Sequence, residues 1–349
     1  MPAAPASQPR FARFAWGLLV YNLGVILWGA FVRATGSGAG CGNHWPLCNG
    51  EVAPRAPSVE TMIELTHRLT SGLDGLLVLA LAVWAWRAFP RGDRVRRYAA
   101  LSLAFLVSEA LVGAGLVKFE LVADDASVER GLVMAVHLVN TFLLIAFLAL
   151  TAAWAGRPTA QRSRVGAGGA AALLRDPVAW VLGATLAATL VLGVSGAIAA
   201  LGDTLFPAAS LREGIAQDLD PGAHLFVRLR VFHPLLALLV LVLGLQAAAF
   251  AARRRPRPEV RRRARQVTVL FGIEIVAGLV NLALAAPVVL QLVHLLLADL
   301  VWIALVLLAS AAVAPAAAPE AAHQTVESIE MDAVRISGEE GENPGKIAV

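Results

Sequence analysis

Eight blocks of about twenty apolar residues dominate the chain, each as long as a helix must be to cross a hydrocarbon layer of roughly 30 Å. They lie near 12–34, 61–86, 98–117, 131–154, 177–201, 223–251, 267–285 and 289–312. Inside lipid every backbone polar group must find its partner in the protein, so only helices or closed barrels span. Barrel strands alternate over about ten residues and are not solidly apolar. The blocks therefore predict helices. Composition excludes the soluble alternatives: 58% of the 349 residues are hydrophobic and only 15% charged, with a mean hydropathy of +0.69. A soluble enzyme, a secreted disulfide scaffold and a disordered chain are ruled out. The first block exceeds a signal peptide's apolar core and no small-residue cleavage site follows it, so it reads as an uncleaved anchor.

Arginine placement sets the orientation. The loops after spans two, four and six hold 17 arginines, among them Arg87, Arg97, Arg157, Arg175 and the run from Arg253 to Arg265. The four opposite loops hold only Arg55, Lys118, Arg130 and Arg212. By the positive-inside rule both termini are expected in the cytoplasm, with the chain in the cell (inner or plasma) membrane. The net charge of +4 is then a topology signal at the lipid surface, and nucleic acid is not an expected partner.

Span four, "VMAVHLVNTFLLIAFLAL", resembles span eight, "VLQLVHLLLADLVWIALVLL". His233 follows His67 by 233 − 67 = 166 positions, Glu274 follows Glu109 by 274 − 109 = 165, and His294 follows His137 by 294 − 137 = 157. Four crossings return the chain to the same side, so the second copy keeps the orientation of the first. The expectation is an all-α membrane protein of two homologous four-helix bundles, related by a pseudo-twofold along the membrane normal. The bundles would be residues 12–155, with an outer cysteine loop at 35–60, and 177–312. Residues 1–11 and 156–176 would be cytoplasmic, and 313–349 an acidic, disordered cytoplasmic tail.

Four of the seven histidines sit inside apolar blocks: His67, His137, His233 and His294. All four fall on even-numbered spans, about five to ten residues from the outer end, or roughly 8–15 Å deep at the helical rise. Ionisable groups at such depth are costly and usually functional. Neutral imidazole is a strong iron ligand, and the core of a four-helix bundle is a common place to hold haem. The pairing that fits is His67 with His137 and His233 with His294. Zinc suits the pattern less, because no cysteine or convergent carboxylate stands at ligand spacing.

The surroundings differ between the pairs. "IELTHRL" places Glu64 one turn before His67, whereas the matching position before His233 is Arg230, in "FVRLRVFHP". Glu64 reads either as an interfacial carboxylate favoured by the helix dipole or as a proton-handling group at a reactive site. Arg228 and Arg230 are candidate partners for haem propionates. Cys41 and Cys48 share one outer loop, where a disulfide is the default; closing that loop would stabilise by roughly 2.5 kcal/mol in the chain-entropy picture.

The stretch "GAFVRATGSGAGCGNHWPLCNGEVAP", followed by "TMIELTHRLTSG", resembles the first outer loop and second helix of the haem A synthase family. The likeness covers about residues 12–312. That family oxidises the C8 methyl of haem O to the formyl of haem A in two successive oxygenations. The resemblance implies that His67 and His137 bind the substrate haem and that Glu64 is the catalytic acid. It also implies that His233 and His294 hold a resident haem b that relays electrons. The loop between spans five and six lacks the second cysteine pair that some relatives carry. Haem O delivered by a haem O synthase, an electron donor the sequence does not identify, and the lipid bilayer are the implied partners; a homo-oligomer is compatible with these. Two other readings compete: a quinol-linked membrane b-type cytochrome, and a proton-coupled transporter using Asp74, Glu109, Glu274 and Asp299. Asp299, five residues after His294, is turned well round the helix from it.

Overall fold

A computed structural model describes residues 8–162 and 173–314. The expected tail beyond 314, part of the 156–176 linker and residues 1–7 lie outside the described residues. The first half contains α1 (Pro9–Ala34), α2 (Val59–Ala88), α3 (Arg94–Lys118), α4 (Val128–Ala155) and the single turn α5 (Thr159–Arg162). The second contains α6 (Pro177–Leu205), α7 (Leu211–Leu219), α8 (Leu225–Arg230), α9 (Phe232–Arg254), α10 (Pro258–Ala283) and α11 (Val288–Val313). Eight helices are long and apolar enough to cross a membrane, α8 with α9 counting as one, and no strand occurs among the described residues. The chain is an all-α, multi-pass membrane protein.

Local chemistry sets the helix starts. Side chains of Ser58, Asp93, Ser127 and Asp176 accept backbone amides of the first turns of α2, α3, α4 and α6, satisfying donors that a helix start leaves unpaired. Pro9, Pro177 and Pro258 occupy first-turn positions of α1, α6 and α10, where the missing N–H costs nothing. Two boundaries depart from the hydropathy reading. Span six, expected as one helix over 223–251, breaks at Val231. Pro234 lacks an N–H, and its ring would crowd the carbonyl four residues back, at Arg230. His233 consequently sits in the first turn of α9. Helix α10 begins at Pro258 rather than near 267, because its first turns are built from arginines that hydropathy does not register.

Within the first half, α1 packs on α2 and α4, and α3 packs on α2 and α4, closing a ring of four. In the second half α6 packs on α9 and α11, and α10 on the same two helices. The histidine-bearing helices, α2 with α4 and α9 with α11, thus stand diagonally across their rings. The halves meet through α1 and α4 against α6 and α11. There Trp302 stacks on Phe142 at 5.2 Å, and its indole donates to the Phe142 carbonyl at 2.6 Å. Arg33 donates to the Ala200 carbonyl at 2.6 Å and to Gln291 Oε1 at 2.9 Å. Trp154 closes the far end of this interface, donating to Ser310 at 2.9 Å, with the guanidinium groups of Arg94 and Arg157 4.4 and 4.5 Å from its ring centroid.

Candidate haem sites

The rings of His233 and His294 face each other with centroids 6.2 Å apart and planes 80° apart. An iron held between two imidazole nitrogens at about 2 Å each would place those centroids roughly 6 Å apart. Glycines on neighbouring helices make room for the rings. A Cβ at Gly196 on α6 would lie 2.9 Å from His233 Cε1, and one at Gly278 on α10 would lie 3.0 Å from His294 Cε1. In the first half, a Cβ at Gly29 on α1 would lie 2.8 Å from His67 Cε1. Gly29 and Gly196 stand 196 − 29 = 167 positions apart, close to the histidine spacing. Among the described residues no three His, Cys, Asp or Glu side chains converge as a bare metal ion would require. A haem brings four nitrogens of its own and needs two, so the donor set fits haem.

The second ring nitrogens have different neighbours. His137 Nδ1 lies 3.3 Å from Glu109 Oε1, and His294 Nδ1 lies 3.1 Å from Glu274 Oε1. Both contacts are at ion-pair distance, without the alignment of a hydrogen bond. Glu109 is held in turn by Asn140, which donates at 2.5 Å, and by the Thr141 hydroxyl. His233 Nδ1 is 3.0 Å from Ser195 Oγ. His67 Nδ1 is buried and has no hydrogen-bond partner among the described residues.

Cys41 and Cys48 form a disulfide. Their loop is fastened to α2 by three side chains, one of them Thr61, which donates to the Gly40 carbonyl at 2.6 Å. Glu64, 3% exposed, accepts the Cys41 amide at 2.8 Å. Its other oxygen receives Arg68 Nε at 3.0 Å, while Arg68 Nη1 donates to the carbonyls of His44 and Leu47, each at 2.6 Å. Both Glu64 oxygens are therefore engaged. Sequence reading missed Arg68, although its spacing of four from Glu64 is the ion-pair spacing of a helix.

Arg230 occupies the matching position in the second half, 230 − 64 = 166 residues on. It pairs with Asp218 and, at 3.0 Å, with Asp203, and donates to the Gly214 carbonyl and Gln217 Oε1, each at 3.1 Å. Arg230 thus binds α8 to α6 and α7, while Arg228 is exposed. Glu64 and Arg230 share a task despite opposite charge: each ties a segment between spanning helices to the region carrying a histidine.

The sequence model of the cytochrome oxidase assembly protein family COX15-CtaA matches residues 12–306. A Thermus thermophilus protein named protoheme IX farnesyltransferase is 53% identical over 305 residues, 87% of this chain and 48% of that relative. The corresponding protein of a second strain of that organism is 52% identical over the same share. This chain spans about half the length of those relatives. A heme A synthase of Geobacillus kaustophilus is 47% identical over 104 residues, 30% of this chain and 33% of its own length. That of Bacillus mycoides is 52% identical over 93 residues, 27% of this chain and 30% of its own length.

Proposed function

Because the chain belongs to the COX15-CtaA family of cytochrome oxidase assembly proteins, and because the half-buried His233 and His294 face each other across the second four-helix ring, we propose that it is a haem A synthase. In this reading it oxidises the C8 methyl of haem O to a formyl group. The observation that carries it is the 6.2 Å separation of the His233 and His294 rings, the spacing of a bis-histidine iron. His67 and His137 hold the substrate haem in the first half, and His233 and His294 hold a resident haem b in the second. Each oxygenation consumes one dioxygen, two electrons and two protons and releases one water. The second leaves a geminal diol that loses water to give the formyl. When bound, haem supplies the redox chemistry and oxygen activation that an unreactive methyl demands.

The chain's own residues orient and protect. The imidazoles fix the substrate porphyrin between α2 and α4, and the surrounding apolar helices keep bulk water from the reacting carbon. Glu64 holds a carboxyl group one turn from His67, where a proton can be taken up or released at Oε2 once the Cys41 amide lets go. Arg228 remains open to a propionate, whereas Arg230 must leave Asp203 or Asp218 to reach one. The half-length match to a relative named for farnesyl transfer to protoheme supports a farnesyl-bearing haem arriving from such an enzyme. The arginine-rich loops support both termini lying in the cytoplasm, and the like offsets in the two halves support a pseudo-twofold repeat.

The test is chromatography of haems extracted from membranes that contain the chain together with a haem O synthase. Haem A or its hydroxymethyl precursor is expected. Haem O left unchanged beside bound haem b would favour a b-type cytochrome, and membranes without added haem would overturn both readings.

A further inference from the structure

The neighbours of the four Nδ1 atoms sort the histidines unevenly. One histidine of each half, on α4 or α11, has a carboxylate behind it from the adjacent helix: Glu109 behind His137 at 3.3 Å and Glu274 behind His294 at 3.1 Å. The other histidine of the second half has a hydroxyl, Ser195 Oγ at 3.0 Å. Only His67 has neither among the described residues. The position 167 before Ser195 is Trp28, whose indole N–H is committed to the Ile63 carbonyl at 3.1 Å.

Building on the haem-site reading above, we propose that the ligands of the first half are ranked: His137, backed by Glu109, holds the iron throughout, and His67 is the ligand that yields. A carboxylate at ion-pair distance from Nδ1 favours a proton there, which leaves the lone pair on Nε2 and strengthens its donation to metal. Glu109 is itself locked by Asn140 and Thr141, so the support does not swing away. His67, with Nδ1 unsupported, has a freer ring and a weaker bond. A site that must retain a haem and also admit dioxygen needs one firm ligand and one that opens. An electron relay needs two firm ligands. The first half has one supported histidine and the second has two. Glu109 and Glu274 are positioning residues on this account.

The test uses the full chain, purified and loaded with haem O, and compares His67→Ala, His137→Ala and Glu109→Gln. The low-spin haem of the second half reports folding in each. In His67→Ala the first half should keep its haem as a five-coordinate ferrous iron that binds carbon monoxide and shows an iron–histidine stretch in resonance Raman. Adding Glu109→Gln should lower that stretching frequency, because an amide withdraws less proton density from Nδ1 than a carboxylate. His137→Ala should bind haem in the first half at least tenfold more weakly, in line with losses when metal ligation is disturbed. The reverse ranking, with His137→Ala retaining haem and His67→Ala losing it, would overturn the inference while leaving the haem-site reading intact. A stretch that Glu109→Gln does not move would also overturn it. Wild-type chain that takes up no haem O in the first half would overturn both.

Discussion

Glu64 accepts the backbone amide of Cys41 at 2.8 Å, so the carboxyl group nearest His67 in sequence is also the fastening point of the disulfide loop. A proton donor and a loop anchor predict different losses, and one pair of variants separates them. Glu64→Gln retains an acceptor for the Cys41 amide but cannot exchange a proton. It should leave haem content normal and lower haem A formation by about 10²- to 10⁴-fold. Arg68→Met keeps the carboxyl and its bond to the Cys41 amide but removes the ties from α2 to the His44 and Leu47 carbonyls. It should raise protease cleavage within residues 42–57 with a smaller loss of activity. Near-normal haem A yield from Glu64→Gln would assign the residue to the loop alone.

The glycine at 196 is a size constraint on the second site. A methyl group there would fall 2.9 Å from His233 Cε1, and overpacking of this kind costs about 1–3 kcal/mol. Gly196→Ala should therefore diminish the low-spin haem b signal in reduced-minus-oxidised spectra. Gly183→Ala on the same helix meets nothing within 4 Å and should leave the spectrum unchanged.

The near-perpendicular rings of His233 and His294, 80° apart, predict an electronic signature. Crossed imidazoles donate about equally into the two iron π orbitals and leave them nearly degenerate. Electron paramagnetic resonance of the oxidised protein should show a strongly anisotropic low-spin signal with one large g value. A rhombic signal of parallel imidazoles would show that the rings turn when haem is held.

Arg230 is a junction of charge, paired with Asp203 and Asp218. Arg230→Met leaves both carboxylates without that partner and should destabilise the protein by about 1–3 kcal/mol, read as a lower midpoint of thermal unfolding in detergent. Unchanged haem b content would identify Arg230 as a loop anchor. Loss of haem b with normal thermal stability would favour a propionate contact.

Much of this arrangement was legible in the residues. Blocks of twenty apolar residues specify spanning helices because lipid permits little else, and the four histidines fall within those blocks. Cys41 and Cys48 share one short loop, and their disulfide is present. Other features escaped for physical reasons. Hydropathy cannot see a helix that projects beyond the apolar layer, so the arginine-rich start of α10 was lost. Pro234 carried the signal for the break at Val231, but a long apolar run masked it. Glu109 and Glu274 were visible as a matched pair, yet their contact with His137 and His294 depends on how α3 and α10 are rotated against their neighbours. Periodicity along one helix does not determine that rotation.

The central claim, two histidine-held haem sites in one chain, is tested most directly by haem stoichiometry and spectra of the four single His→Ala variants. His233→Ala and His294→Ala should each lose the low-spin haem b signal, and His67→Ala and His137→Ala should keep it. A full low-spin haem b signal in both His233→Ala and His294→Ala would contradict the account.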